Sequence, residues 1–341
     1  MRTILIAVTL VACTASAFAQ GTGKGKGKAI NLTPVVCDRA CLEGYVDKYL
    51  DAMVSHDPSK VPFAKDFKFT ENGQRLIPGD GLWNTMTAKG TYRLFVTDVE
   101  TQSVGFFGSI KEMNAGAMIG MRLKIRGGQI TEAEQFIQRS PNSAAGFERI
   151  GYKWDTLIPV GERMTREQLI ELANKYFTGM ASNDGKGDYP FAADCNRIEN
   201  GGMSTNTPTP PGGTRPDPKT ATGYSSQWGC KEQFDSGLLH FVTRIRDRRY
   251  VAVDPERGLV LSYVFFDHSA GDTRNFEKPD GAKVSAGPQQ PWTWQISEVF
   301  RLEKGKIYQI QATMERSPYG MNSGWSPWED GMSQRARDVA K

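Results

Sequence analysis

The sequence predicts an α+β protein of two tandem domains, and two observations carry that prediction. The first is an internal repeat, in which the landmarks of residues 49–73 return at residues 176–201 with an offset of 127 that becomes 128. The repeated residues include Tyr49, Met53, Ser55, Asp57 and Glu71, which recur as Tyr176, Met180, Ser182, Asp184 and Glu199. The second is that long segments with apolar residues at every second position follow each copy.

The first repeat unit begins with a predicted helix over residues 38–56, in which apolar residues recur at helical spacing and which ends before Pro58. A short strand at 67–71 and a short helix at 81–86 follow it. Four long strands are then predicted, at residues 91–99, 103–112, 117–126 and 129–139. We therefore expect a first domain over residues 38–140.

The second unit follows residues 141–164, which are rich in proline and glycine and are expected to be an irregular linker. Thr165 and Gln168 form a capping-box pattern at the start of its helix. Insertions at 204–230 and 269–291 interrupt this unit. Its long strands are predicted at residues 239–248, 250–254, 258–268, 293–303 and 306–316.

The closing hairpins of the two units match at an offset of 177. Gly128, Ile130 and Arg139 recur as Gly305, Ile307 and Arg316. We therefore expect the second domain to cover residues 165–318 and a C-terminal tail to occupy 319–341.

The N-terminus has the features of an export signal. Residues 1–19 contain a basic residue, an apolar run and the small-residue end Ala17-Phe18-Ala19, which predicts cleavage before Gln20. The alternative is a lipoprotein box ending at Cys13, which would leave a lipid anchor there. Residues 20–37 form a Gly/Lys-rich leader, expected to be flexible. We expect a secreted or periplasmic protein with no membrane span.

Four cysteines remain after such a signal, and an oxidising compartment favours their pairing. Three pairings are compatible with four cysteines. We favour Cys195 with Cys230, at the base of the first insertion, and Cys37 with Cys41 at the start of the first helix. The absence of a C-x-x-C pair argues against a zinc site, and a net charge of +4 does not indicate nucleic-acid binding.

The order of helix, short strand, short helix and long antiparallel strands resembles the nuclear-transport-factor-two-like superfamily, including its SnoaL-like branch. The residues that carry the resemblance are the helix end at 53–58, the entry to the first strand at 63–67 and the two closing hairpins. The resemblance implies two cone-shaped domains, each a curved antiparallel sheet wrapped around helices. It implies no single function, because dehydratases, isomerases, cyclases, lyases and binding modules share that fold.

A polar residue on an otherwise apolar strand face is the strongest sign of a site in such a fold. Glu298 shares its predicted strand face with Trp294, Ile296 and Phe300, and burial there would raise the pKa of its carboxyl group. The equivalent residue in the first unit is Met121. The alternative is a structural ion pair of Glu298, for example with Arg316.

Further candidates lie on the strands of the second unit. The predicted catalytic partners of Glu298 are His268, Asp247 and Tyr263, as acids, bases or donors to a developing negative charge. The predicted substrate-binding residues are Trp294, Tyr308, Arg246 and His240. Structural roles, such as core aromatics, turn residues or a solvated basic face, are the alternatives for all of them.

The sequence contains no G-x-S-x-G elbow, dinucleotide fingerprint or metal-ligand cluster, which disfavours cofactor-dependent chemistry. The hypothesis is therefore an exported, cofactor-independent lyase, dehydratase or isomerase that acts by acid–base chemistry on a small ring-containing substrate. A non-catalytic small-molecule-binding protein is the first alternative. A glycan-active lyase, with tryptophans stacking on sugars, is the second.

Overall fold

The structure is a computed structural model that describes residues 36–151 and 154–338. The predicted signal peptide, Cys13 and nearly all of the Gly/Lys leader lie outside these residues, as does the end of the tail. Two large curved sheets, of six and seven strands, dominate the described chain, and few helices accompany them.

The first half contains one long helix and six strands in one sheet. Helix α1 is Arg39–Val54, and its N-cap Asp38 accepts a hydrogen bond from Cys41 N. The strands are β1 (Phe63–Glu71), β2 (Gln74–Arg75), β3 (Met86–Asp98), β4 (Ser103–Glu112), β5 (Ala115–Arg126) and β6 (Gln129–Gln138). Their order in the sheet is β2-β1-β6-β5-β4-β3. Strands β1 and β6 are parallel, so the sheet is mixed rather than purely antiparallel.

A helix begins where the sequence predicted only an irregular linker. Helix α2 is Pro141–Ile150, with Ser140 as its N-cap and Gly151 at a left-handed C-cap. Proline is favoured in the first turn of a helix, because its missing N–H would have no partner there. Pro141 therefore starts this helix, and the prediction of irregular structure for this part of the linker was wrong.

The second half repeats the arrangement of the first. Helix α3 is Arg166–Met180, and Thr165 and Gln168 form the predicted capping box. The remaining elements are β7 (Phe191–Glu199), β8 (Gly202–Met203), α4 (Cys230–Asp235), β9 (Arg244–Asp254), β10 (Leu259–His268), β11 (Asn275–Glu277), β12 (Lys283–Ser285), β13 (Trp292–Glu303), β14 (Lys306–Ser317), α5 (Trp328–Gly331) and β15 (Ala336–Asp338). The main sheet has the order β15-β9-β10-β13-β14-β7-β8, while β11 and β12 form a separate hairpin in the second insertion.

Each long helix packs on one face of its own sheet, α1 in the first half and α3 in the second. The other faces of the two sheets pack against each other through a shared apolar core that includes Phe107, Phe136, Leu261 and Tyr263. Charged pairs flank this core, among them Arg249 with both carboxylate oxygens of Glu134 at 2.7 Å. The face that holds the long helix is therefore the interior of each half.

Both disulfides favoured from the sequence are present, Cys37–Cys41 and Cys195–Cys230. They are compatible with an extracellular location. No helix in the described residues is long and apolar enough to cross a lipid bilayer.

Candidate functional site

Glu298 lies deep in the interior of the second half. It stands on β13 directly opposite Ser262 of β10 and Ala312 of β14, and Ala312 is in turn opposite Glu199 of β7. Residues opposite one another in a sheet share a face, so the two glutamates lie on one face with only an alanine side chain between their strands. Glu298 is 1% exposed, and apolar neighbours surround it as predicted.

Burial raises the pKa of the Glu298 carboxyl to about 8. The negative charge of Glu199 contributes to this rise in the pKa, while the positive charge of Arg197 and a hydrogen bond from the Tyr176 hydroxyl oppose it. One carboxyl oxygen, Oε2, has no hydrogen-bond partner in the described residues. Glu298 is thus a desolvated acid with one oxygen that no described residue hydrogen-bonds.

Arg197 and Glu199 form an ion pair on the same sheet face as Glu298. Arg197 is 3% exposed and donates from Nη2 to Glu199 Oε1 at 2.5 Å and from Nη1 to Gln233 Oε1 at 2.9 Å. Its Nε has no hydrogen-bond partner among the described residues. The side chain of Glu199 is 22% exposed, so solvent reaches the pair although Glu298 itself is covered.

Aromatic side chains lie on this face between Glu298 and one edge of it. We call this edge, at His268, Trp292 and Arg316, the rim. Phe266 and Arg316 flank Trp294 in register, and His268 is opposite Trp292. The ring of His268 stacks on Trp292 at 3.9 Å between centroids, and Trp292 meets Trp294 edge to face at 4.5 Å. Burial lowers the pKa of His268 to about 4, so this imidazole is neutral at pH 7. Four aromatic rings therefore lie on the sheet face between Glu298 and this edge.

His268 and Arg316 do not act as the direct partners predicted for Glu298. His268 is six residues from Ser262, which is about 20 Å along a strand, and this exceeds the reach of a proton transfer. Arg316 is opposite Trp294, four residues or about 13 Å from Glu298. The proposed structural ion pair of Glu298 with Arg316 is therefore absent.

Two of the predicted catalytic partners lie outside this interior. Asp247 has a positive φ of 49° at an irregularity of β9, which breaks the expected alternation. Its carboxylate accepts hydrogen bonds from Ser323 and Ser326 of the C-terminal tail. Tyr263 is opposite Ser297, on the sheet face that packs against the first half, and its hydroxyl donates to Glu134 O at 3.3 Å.

Three of the four predicted binding residues also lie elsewhere, whereas Trp294 shares the interior face. Arg246 is fully buried and donates from Nε to Asp267 Oδ2 at 2.8 Å. Tyr308 lines a surface groove of about 380 Å³ beside the linker. His240 stacks on Phe276 of the second insertion at 4.6 Å. A glycan-active lyase would need arginines to hold an acidic sugar, and Arg246 is instead bound to Asp267.

Sequence reasoning missed Tyr176, Arg197 and Glu199 as members of the site. A signal was present in the repeat, because the residue 128 positions before Arg197 is Phe69. An apolar residue in one copy and a charged residue in the other mark the same kind of change as Met121 and Glu298. Within the described residues, no three histidine, cysteine, aspartate or glutamate side chains lie together as a metal site requires.

Comparison with solved structures finds three proteins of low similarity to this chain. A protein from Sphaerobacter thermophilus is 18% identical over 28% of this chain and 94% of its own, with a TM-score of 0.24. AclR from Streptomyces galilaeus is 11% identical over 36% of this chain and 92% of its own, with a TM-score of 0.26. A de novo designed protein with a curved β-sheet is 17% identical over 45% of this chain and 88% of its own, with a TM-score of 0.22. No curated protein matches the chain in sequence.

A family model matches the chain in two segments, residues 36–137 and 162–314. The first segment contains α1 and β1 to β5 and most of β6, and the second contains α3 and the strands β7 to β13 and most of β14. The internal repeat is therefore a duplication of the family domain. The chain belongs to the family of the domain of unknown function DUF8021.

Proposed function

We propose that this chain is an exported, cofactor-independent lyase, dehydratase or isomerase that acts on a small ring-containing molecule in the interior of its second half. The observation that carries the proposal is Glu298, a fully buried carboxyl group with a pKa of about 8 and one oxygen without a partner among the described residues. An acid or base is most effective when its pKa lies near the working pH. The proposal assigns each half to the cone-shaped, SnoaL-like type of fold.

Glu298 would exchange a proton with the substrate through its free oxygen. At pH 7 a group with a pKa of about 8 is mostly protonated, so Glu298 donates a proton first or must lose one before it acts as a base. The Tyr176 hydroxyl would hold the other oxygen in place. Arg197, with its unpartnered Nε, would stabilise negative charge that develops on the substrate. Arg197 takes the role first predicted for Tyr263, and no described residue takes the role of partner acid or base first predicted for Asp247.

Space for a substrate beside Glu298 is supported by the repeat. The residue of the first half that corresponds to Ala312 is Gln135, whose side chain fills that position and bonds to Glu71 Oε2 at 3.0 Å. Ala312 has a much smaller side chain at that position, so a ligand beside Glu298 would not meet an amide there. Under this proposal a molecule would enter from the side of Glu199, whose side chain is 22% exposed.

The direct test is Glu298→Gln, with Glu315→Gln as the matched control on the opposite face of the neighbouring strand. Deuterium exchange beside the carbonyl, and water elimination, would be followed by NMR with a panel of small cyclic ketones and β-hydroxyketones. We expect Glu298→Gln to lower the rate by about 10²- to 10⁴-fold, while affinity and the Glu315→Gln rate stay unchanged. Equal rates in wild type and Glu298→Gln would refute the assignment of Glu298.

A binding protein is the second candidate, and the aromatic rings on the way to Glu298 favour it. Phe241 stacks near His268 at 5.8 Å, and Tyr224 stacks on Phe241 at the same distance. Such rings bind flat ligands without reacting with them. Tight binding of panel members without turnover, in wild type and Glu298→Gln alike, would select this candidate.

A further inference from the structure

The arginine at the rim of each half has a very different environment. In the first half, Arg139 donates from Nε to Glu112 Oε2 at 2.7 Å and from Nη2 to Glu71 Oε1 at 3.0 Å. Two carboxylates therefore hold its guanidinium. The corresponding residue of the second half, at the offset of 177, is Arg316.

The second half has lost both carboxylate partners of this arginine. Glu112 is opposite Ala115, and His268 is opposite Trp292, the counterpart of Ala115, so His268 occupies the place of Glu112. The counterpart of Glu71 is Glu199, but Arg197 binds it instead. A neutral imidazole and a carboxylate that is already paired therefore replace the two acceptors.

The guanidinium of Arg316 consequently has no carboxylate partner among the residues that the structure describes. Its side chain is exposed, and no hydrogen bond or ion pair joins it to any residue that the structure describes. Its guanidinium carbon lies 5.1 Å from the centroid of the Trp292 ring. Such a cation–π contact restrains the side chain and leaves the N–H groups available for a carboxylate or phosphate.

The second half also has aromatic side chains beside Arg316, on which a ring can pack. Trp292 and Trp294 stand where the first half has Ala115 and Ala117. The backbone positions of Arg316 and Glu298 are about 13 Å apart along the sheet, which is about the length of a molecule of one or two rings that carries an acid group.

We propose that the ligand of this site is a ring-containing organic anion, whose carboxylate or phosphate binds Arg316 while its ring packs on Trp292 and Trp294. The inference rests on the proposed function only in placing the ligand on this face. The ligand's charge substitutes for the two carboxylates that Arg139 binds in the first half. Anion binding at the rim also positions the ring's far end towards Glu298.

The test measures binding, so that it is independent of turnover. Fluorinated benzoate, cinnamate and 2-naphthoate would be titrated at pH 7 by ¹⁹F NMR, with the corresponding primary amides and fluorophenyl phosphate in parallel. The variants are Arg316→Gln and, as a control for net charge, Arg126→Gln, which removes an exposed arginine at the end of β5. Glu298→Gln is included to separate the two proposals.

We expect wild type to bind at least one carboxylate, or the phosphate, about tenfold more tightly than the neutral amides. Arg316→Gln should remove this preference without weakening amide binding, and Arg126→Gln should keep it. Preference for carboxylate over phosphate, or the reverse, identifies which anion the site takes. Equal binding of acids and amides, retention of the preference in Arg316→Gln, or no binding of any probe below 10 mM would overturn the inference.

The anion preference should persist in Glu298→Gln. A preference that depends on Arg316, combined with turnover that does not depend on Glu298, would leave the anion site intact and refute the proposed chemistry. Loss of turnover in Glu298→Gln, combined with no anion preference in wild type, would support the proposed chemistry and refute the anion site.

Discussion

The interiors of the two halves differ most where their folds are most alike. In the first half, Trp83 Nε1 donates to the Tyr49 hydroxyl at 3.3 Å, Tyr49 donates to Gln135 Oε1 at 3.2 Å, and Gln135 Nε2 donates to Glu71 Oε2 at 3.0 Å. Leu82 N supplies Glu71 with a further hydrogen bond. Every member of this chain of buried groups has a partner, as a stable core requires.

The second half keeps the tyrosine and the glutamate of this hydrogen-bonded series, but it has no counterpart of the tryptophan N–H or of the glutamine. Phe234 packs on Tyr176 at 5.5 Å, as Trp83 packs on Tyr49 at 5.0 Å, but it has no N–H to donate. Ala312 replaces Gln135, and Glu298 replaces Met121. The fold forms without an acid in the first half, so the fold does not require one. A buried acid that destabilises the core, at a position where the other half has methionine, points to a function.

The largest expected effect is the pH dependence that Glu298 confers on stability. The folded-state pKa of about 8 lies above the ordinary 4.5 of a glutamate, so its contribution is fully present below pH 4.5 and is lost as pH rises through 8. The free energy of unfolding of wild type should fall by on the order of 4 kcal/mol over that range, relative to Glu298→Gln. Denaturant titrations of both proteins at pH 5, 7 and 9 measure it, and a difference that does not change with pH would contradict it.

The two disulfides should differ in their effect on stability. Cys195 and Cys230 are 35 residues apart, whereas Cys37 and Cys41 are 4 apart. Closing the longer loop removes more entropy from the unfolded chain. Replacing Cys195 and Cys230 by alanine should therefore cost about 4 kcal/mol of stability, and replacing Cys37 and Cys41 by alanine about 2 kcal/mol. Denaturant midpoints of the two double variants check this, and an equal or reversed order would count against the loop-entropy explanation.

Exchanging Gln135 and Ala312 between the halves tests how much these two residues account for the difference between the interiors. Gln135→Ala leaves the Glu71 carboxylate without one donor, and should lower the free energy of unfolding by about 2 kcal/mol. Ala312→Gln should change it by less than about 1 kcal/mol, because the added amide can bond to Glu199. The same variant should abolish binding of the ¹⁹F probes by filling the space beside Glu298. Unimpaired binding in a folded Ala312→Gln protein would place the ligand elsewhere.

The smallest expected difference is between the two rim arginines. Arg139→Gln removes hydrogen bonds to Glu71 and Glu112, but Arg139 is 46% exposed and solvent screens these pairs, so the cost should be about 1 kcal/mol. Arg316→Gln removes no ion pair and should change stability by less than about 0.5 kcal/mol. Thermal unfolding of both variants measures the difference. A greater loss in Arg316→Gln would show that Arg316 has a structural role.

The errors of sequence reasoning came from residues whose direction depends on pairing with distant strands. Glu298 was identified correctly as buried, because β13 alternates without interruption. Asp247 was not, since one residue at positive φ in β9 turns its side chain towards a tail 76 residues further along the chain. Tyr263 alternates as expected, yet only its register with β13 shows that it lies on the face away from Glu298.

The sequence by itself determined the duplication, the long helices, the alternation of β13 and the buried position of Glu298, because these follow from local periodicity and from self-similarity. Only the tertiary structure decided which groups meet Glu298 and which arginine lacks a partner. Tyr176, Arg197 and Glu199 approach it from a helix and a strand more than 95 residues away in sequence. Side-chain pairing across a sheet is set by register and bulges, which a single sequence does not encode in any local pattern.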